Sequence, residues 1–321
     1  MAKSKDDLWR DFPKTAPEFD ERFATEEDCI AYWLEARWGG TPACARCTST
    51  RVWTERDGKL FECADCGHQT SLTSGTLLAG TKKPFKLWFR AVFEVSSRRN
   101  GISGKDLQRI MGFGSYETAW TWLHKIRAAL VRPGRGELRD DVEMDEGFVG
   151  GKQLGKSMVL VATETDAKNL GRVRLAHAFT NDEATIKTFA DANVSADASV
   201  ETDGHAAYND ASLGAREHSA TVQTKAERQA DDSLQSTHWV MSGLKRWLLG
   251  THGGAVKPKH LQAYLDEFVF RWNRRKTKGV ARIAARTFET LVSHAPLTMR
   301  AIVRGAAPYP RFSLENQGSP E

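Results

Sequence analysis

The stretch Asp141–Lys152, DVEMDEGFVGGK, decides how the second half of the chain is read. Val142 and Met144 alternate with Glu143 and Asp145, the period of two that marks a half-buried strand. Gly147, Gly150 and Gly151 read as turn residues that break the pattern, which puts Asp145 near the strand's end. A carboxylate held by a strand and followed by a glycine turn is placed to ligate a metal facing a cleft; the plainer reading of such a residue is a solvated charge.

Downstream, the apolar runs Val142–Val149, Met158–Thr163 and Val173–Phe179 are separated by short polar turns, which predicts an antiparallel meander. Asn181 or Asp182 is placed to cap a helix carrying Ala184, Ile186, Phe189 and Ala190. The next strand, Ala198–Asp203 (ASVETD), again ends on an aspartate followed by glycine. Three strands, a helix and a fourth strand make an α/β layer consistent with ribonuclease H-like topology. Two carboxylates ending strands of one sheet can share hard divalent cations, the arrangement that phosphoryl transfer uses. A third ligand is open between Glu227, Asp231 and Asp232 in a polar stretch and His238 on a helix. At 100° per residue, Val240, Leu244 and Trp247 share one face of that helix and His238, Ser242 and Lys245 the opposite one. A neutral imidazole can ligate a metal, and Lys245, two turns on, suits a phosphate; the bland alternative is a surface histidine beside a surface lysine.

Upstream, Thr25 caps a helix on which Ile30, Trp33, Leu34 and Trp38 recur at helical spacing, with Cys29 read as a small buried hydrophobe. Cys44, Cys47, Cys63 and Cys66 form two C-x2-C pairs separated by fifteen residues, with a hairpin expected around Asp57-Gly58. Two such knuckles close a tetrahedral structural zinc site, and the metal supplies folding energy that so small a segment lacks. From Pro84 the chain reads as helical, with Phe85, Leu87, Trp88, Phe89, Val92 and Phe93 buried. A short helix over Ile102–Met111, a Gly112-Phe113-Gly114 break and a second helix behind Ser115 have the outline of a helix-turn-helix. Arg132–Gly136 reads as a linker.

With 46 basic and 41 acidic residues the chain carries a net charge of +5, which permits a polyanionic partner. The basic residues cluster: Lys82, Lys83, Lys86, Arg90, Arg98 and Arg99 in one stretch, and Arg271, Arg274, Arg275, Lys276, Lys278, Arg282 and Arg286 in another. At 40% hydrophobic and 27% charged the composition is globular rather than disordered. No apolar run reaches membrane-spanning length, and MAKSKDDLWRDF lacks the apolar core of a secretory signal, so a cytoplasmic location, on the nucleoid when DNA is bound, is expected.

The chain resembles an insertion-sequence transposase of the ISXO type, a zinc-ribbon-bearing branch of the DDE superfamily. The resemblance runs through the four-cysteine ribbon, TSLTSGTLLAGTKKPFKLWFRAVF, NGISGKDLQRIMGFGSYETAWTWLHKIRAAL, VEMDEGFVGGK, ETDGHAAY and LKRWLLGTHGGAVKPKHLQAYLDEFVFRWNRR, about residues 20 to 290. It implies a multidomain α+β chain: an N-terminal helical segment (1–38), the zinc ribbon (39–80), a helical DNA-binding unit (81–131), a ribonuclease H-like catalytic domain (138–295) and a tail (296–321). It further implies that Asp145, Asp203 and, aligned through LKRW, His238 hold Mg²⁺ or Mn²⁺. Lys245 becomes the basic residue seven positions on, and Lys245, Arg246, Arg271, Arg274, Arg275 and Lys276 become contacts to double-stranded DNA. End cleavage, strand transfer and a homo-oligomer in the synaptic complex go with that reading. The chain departs from the family wording at Gly243, where related sequences carry Asn, and at HGGAVKP. Glycine there costs a helix about 1 kcal/mol, which keeps a second reading open, a non-catalytic DNA-binding descendant.

Overall fold

The computed structural model describes residues 5–55, 58–132, 134–151, 155–166, 169–254, 256–277 and 279–305. Asp57, Pro133, Lys152, Lys278 and residues 306–321 of the expected tail lie outside them. The chain divides into two units, one built from Met1–Arg132 together with the segment that starts at Thr277, the other from Pro133–Lys276.

The first unit opens with a 3-10 helix, Lys5–Arg10, followed by α1 (Ala16–Arg22) and α2 (Glu26–Trp38). Thr25 and Asp28 cap α2 reciprocally, each side chain taking the other residue's backbone N–H, so the helix starts where the sequence signals it. A three-stranded antiparallel sheet follows: β1 (Val52–Glu55), β2 (Leu60–Cys63) and β3 (Gln69–Ser71). Then come α3 (Phe85–Ser97), α4 (Gly104–Met111) and α5 (Tyr116–Ala129), the last two capped by Ser103 and Ser115. The helix-turn-helix order is present, but α5 is buried from Trp122 onward and exposes mainly its first turn, Tyr116 and Glu117. A helix held this way offers DNA one turn rather than a long face.

The second unit is a five-stranded mixed sheet. β4 (Asp141–Gly151), β5 (Gly155–Asp166) and β6 (Asn169–Ala178) form the expected antiparallel meander. After α6 (Glu183–Asn193), capped by Asp182, β7 (Ser199–Thr202) runs parallel to β4. After α7 (Asp210–Leu213), β8 (Glu217–Ala220) runs parallel to β7. The resulting order, β6-β5-β4-β7-β8, is the ribonuclease H-like arrangement. β8 escapes sequence reading because Glu-His-Ser-Ala carries no apolar alternation and is mostly exposed. α8 (Lys225–Ala230), α9 (Gln235–His252) and α10 (Pro258–Asn273) complete the unit.

Strand parity sorts the side chains into two layers. Val142 and Met144 pack with Leu160, Ala162 and Ala176 under Ile186 and Phe189 of α6. On the other face, Val159, Val161 and Leu175 pack against Val240, Met241 and Leu244 of α9 and Leu265 and Phe268 of α10. One expectation needs correction here: Gly147 does not end the strand. β4 continues to Gly151, and the Cβ that Gly147 lacks would stand 2.4 Å from Met241 Cε. Glycine is there so that α9 can lie against the strand. Gly243 has a comparable role on α9, where a Cβ would meet Trp272 of α10 at 3.3 Å, and the helix runs unbroken through it.

Both ends of the second unit are tied to the start of β6. Arg172 and Arg174 donate to the carbonyl of Gly136 at the entry. At the exit, Asn273 exchanges two hydrogen bonds with the backbone of Val173, and Arg275 donates to the carbonyls of Leu170 and Gly171. The chain then returns to the first unit as α11 (Val280–Ser293) and α12 (Met299–Val303). Ala281, Ala284, Phe288, Leu291, Leu297 and Ile302 belong to the same core as Phe12, Tyr32 and Phe89. Residues 277–302 thus group with the first unit, and the N-terminal segment and the helical unit share one core.

Gly147→Val separates two opposing effects. β-propensity alone would favour valine by up to about 1 kcal/mol. The contact with Met241 opposes it, and overpacking of this kind costs about 1–3 kcal/mol. The variant should therefore melt at a lower temperature than wild type, and the loss should shrink when Met241→Ala is added in a double-mutant cycle.

Candidate active site

The register of β4 on β7 places the acidic residues. Asp141, Val142 and Glu143 pair with Ser199, Val200 and Glu201. Continuing this parallel register by two residues sets Asp145 beside Asp203, where β7 has just ended. Residues at matched positions of neighbouring parallel strands project to the same face, with backbones about 4.8 Å apart. That face is the one α9 covers, because Asp145 pairs with Val161. Asp145 thus sits within β4, and the strand end the sequence pointed to is that of β7. Asp145 Oδ1 accepts the N–H of Glu146, and Asp203 Oδ1 that of His205. Gly204 adopts φ +80° and would otherwise bring a Cβ to 2.7 Å from Val222, so the turn after Asp203 needs glycine.

His238 enters this site from the first turns of α9. Its Nε2 lies 3.4 Å from Asp145 Oδ2, and its Nδ1 lies 2.6 Å from Asp232 Oδ2. The hydrogen bonds toward Asp145 and Asp232, acting against desolvation, push its pKa up to about 9. The buried stripe of α9 is Thr237, Val240, Met241, Leu244 and Leu248. His238 and Lys245 therefore lie on the flank of the apolar face, not opposite it, while Gly243 and Trp247 take the other flank toward α10. Lys245 and Arg246 are exposed, and Trp239 is 51% exposed.

Several residues of the site carried no signal in the sequence. Glu143, on the face shared with Asp145, accepts the backbone N–H of Thr237 at 2.9 Å. Burial raises its pKa, against the hydrogen bonds from Thr237 and Ser236. On the opposite face Glu146 accepts from Tyr208 Oη and Asn181 Nδ2. Burial and the neighbouring Asp145 raise its pKa too. Asp232, a candidate third ligand in the sequence, is instead the partner of His238, while Glu227 caps α8 through Thr224 and is exposed.

The basic residues expected on DNA divide into two sets. Arg271 is held by Glu267, one helical turn back, with its side chain only 13% exposed. Arg274 lies over Phe270, and Arg275 is spent on the β6 carbonyls and lies over Trp272. Arg275 is exposed all the same, as are Lys245, Arg246 and Lys276.

In the first unit, the sulfurs of Cys44, Cys47, Cys63 and Cys66 all lie within 4.8 Å of one another. Cys44–Cys66 is 3.7 Å and Cys47–Cys63 is 3.5 Å. Thiolates at tetrahedral corners around zinc stand about 3.8 Å apart, given Zn–S bonds near 2.3 Å. The donor set and spacing therefore fit structural zinc, with no position left for a substrate. The two knuckles share one backbone design. Thr48 N–H bonds to Cys44 O and Gly67 N–H to Cys63 O, with left-handed φ of 60° and 64°. Backbone N–H groups of Cys47 and Arg46 hold the Cys44 thiol below its usual pKa, as a metal ligand requires.

A four-cysteine ribbon ahead of a five-stranded mixed sheet defines a mixed α+β protein. Residues 137–273 match the ISXO2-like transposase domain, and residues 24–69 match the transposase zinc-ribbon domain. The two matches are those of an ISXO2-like DDE transposase. The activity that accompanies such a domain is of the nuclease and strand-transferring kind. No curated protein matches the chain. Among the described residues, no helix is long and apolar enough to cross a membrane.

Thr48 holds without glycine the conformation that Gly67 adopts freely, and a β-branched residue in the left-handed region stores about 1–3 kcal/mol. Thr48→Gly should keep zinc and raise the temperature at which a chelator-sensitive melting transition occurs. Cys63→Ser should remove stoichiometric zinc and that transition, as read by metal analysis and calorimetry.

Proposed function

We propose that the chain is a DNA transposase that binds the terminal inverted repeats of its own element, cuts at their ends and joins the freed 3′ hydroxyls to target DNA. One observation carries this reading: the parallel β4–β7 register, continued two residues past its last pair, sets Asp145 of β4 beside Asp203 just after β7, and His238 stands 3.4 Å from Asp145. Two carboxylates and an imidazole are donors that suit a divalent cation. Mg²⁺ or Mn²⁺ held there would polarise the scissile phosphate and strengthen the attacking oxygen.

The residues act in defined roles. Asp145 supplies an oxygen ligand from within β4, and Asp203 one from the turn that follows β7. Asp232 takes the Nδ1 proton of His238 in a hydrogen bond, which turns the Nε2 lone pair toward the carboxylates. Lys245, about 10 Å along α9 from His238, steadies a phosphate, and Arg246 and Lys276 meet the DNA backbone. In cleavage, a water oxygen bonds to phosphorus as the bond to the 3′ oxygen breaks, and that oxygen leaves as a hydroxyl after taking up a proton. In joining, the same hydroxyl attacks a target phosphodiester and displaces the target's own 3′ oxygen, so phosphodiester bonds are conserved in number. Holding two ends together calls for a homo-oligomer. Gly243, the feature behind the non-catalytic alternative, lies where α9 packs on Trp272 of α10, and α9 runs unbroken through it.

The test is Mn²⁺-dependent cleavage and strand transfer on a duplex carrying the element's end. Asp145→Ala, Asp203→Ala and His238→Ala should each lose both reactions, and Asp232→Ala should lower activity about 10- to 100-fold as a partner of a ligand does. Full activity in either aspartate variant would refute the reading. So would activity in His238→Ala together with loss in Asp231→Ala.

The pH dependence follows from His238. Without metal it carries a proton until the pH nears 9, and that proton must leave before Nε2 can ligate. Apparent Mn²⁺ affinity should accordingly rise from pH 7 toward pH 9, by at most about tenfold per pH unit, and level off above. Asp232→Asn should move the plateau to lower pH, measured by Mn²⁺ titration.

A further inference from the structure

α9 begins without a cap of its own. The residue at its N-cap position is Leu234, which makes no side-chain hydrogen bond to the helix, and the first turn holds no acidic residue. Orphan N–H groups at a helix start are costly when buried, and Thr237 is fully buried. The acceptor comes from another element. Glu143 of β4, itself 8% exposed, takes the N–H of Thr237 at 2.9 Å, and Ser236 also hydrogen-bonds to it.

The place of this contact matters more than its strength. Glu143 lies two residues before Asp145 on the same strand face, and Thr237 immediately precedes His238. A single carboxylate thus ties together the residues next to each half of the Asp145–His238 pair. Two further contacts act at this junction. Gly147 admits Met241, one turn beyond His238, and Asp232 bonds both Leu234 N–H and His238 Nδ1.

We infer that Glu143 is a positioning residue for the metal site: as an interstrand cap for α9 it fixes where His238 stands relative to Asp145. The inference rests on the proposed role of His238 as a ligand. The effect of Glu143 passes through the helix start, by way of Thr237 and Ser236.

The experiment is Mn²⁺ binding to the zinc-loaded full chain without DNA, read from the electron paramagnetic resonance signal of the free ion, beside thermal melting and the Mn²⁺ dependence of end cleavage. Glu143→Ala should weaken Mn²⁺ binding at least about tenfold, while Glu143→Gln, which keeps an acceptor oxygen of the same reach, should stay within about threefold of wild type. Wild-type Mn²⁺ binding in Glu143→Ala overturns the inference, and so does equal weakening in the alanine and glutamine variants. Should Glu143→Ala fail to melt cooperatively, Glu143→Asp replaces it: its carboxylate stops one methylene short of Thr237, and weakened or unchanged Mn²⁺ binding decides in the same way. His238→Ala separates the two readings. If it binds Mn²⁺ as wild type does, the ligand role fails and this inference falls with it; if it weakens binding while Glu143→Ala does not, only this inference fails.

Discussion

The second unit depends on how closely α9 is seated on β4. The helix lies over the sheet through Val240, Met241, Leu244 and Leu248, and at Gly147 the strand offers no side chain at all. Non-directional burial would allow the helix to slide or turn by a few degrees at little cost. A hydrogen bond to its first turn is directional and resists that movement, while Met241 fills the space over the bare backbone of Gly147. Because His238 follows Thr237 directly, that seating also sets the site.

The same geometry gathers charge. Asp145 and Asp203 act on Glu146, Glu201 acts on Glu143, and Asp232 faces Asp145 across the ring of His238. Such a cluster repels itself, and the protein relieves the repulsion in two ways. Burial shifts Glu143 and Glu146 toward their neutral forms, and a protonated His238 stands between two carboxylates. A bound cation that replaced that proton would stabilise the native state by mass action.

Much of this was legible in the sequence, and the parts that were not have physical reasons. The meander could be read because Val142, Met144 and their counterparts alternate, and the ribbon because cysteine spacing admits few uses. The pairing of Asp145 with Asp203 is a matter of register, which alternation suggests and only pairing fixes. Gly147 was taken for a turn because glycine breaks a pattern whether the chain bends there or another element approaches. Glu143 carried no mark, because its partner lies across the fold on a helix whose first turn lacks the usual capping residue, and Asp232 reads as a candidate ligand with nothing to show its bond to His238. The arginines after α10 read as a DNA-facing run, since charge alone does not say whether a guanidinium meets a phosphate or a carbonyl.

The tying of Gly136, Asn273 and Arg275 to the first residues of β6 bears on how the chain is made. The first unit is interrupted: its core needs Phe288 and Leu291, which leave the ribosome only after residues 133–276 have been synthesised. Joined by a slack segment of that length, the two parts of the core would meet at a closure cost of about 4 kcal/mol. A middle unit that folds first during synthesis, with its entry and exit clasped on one strand, removes most of that slack. The clasp thereby turns an insertion into a short connection, and the order of translation becomes the order of assembly.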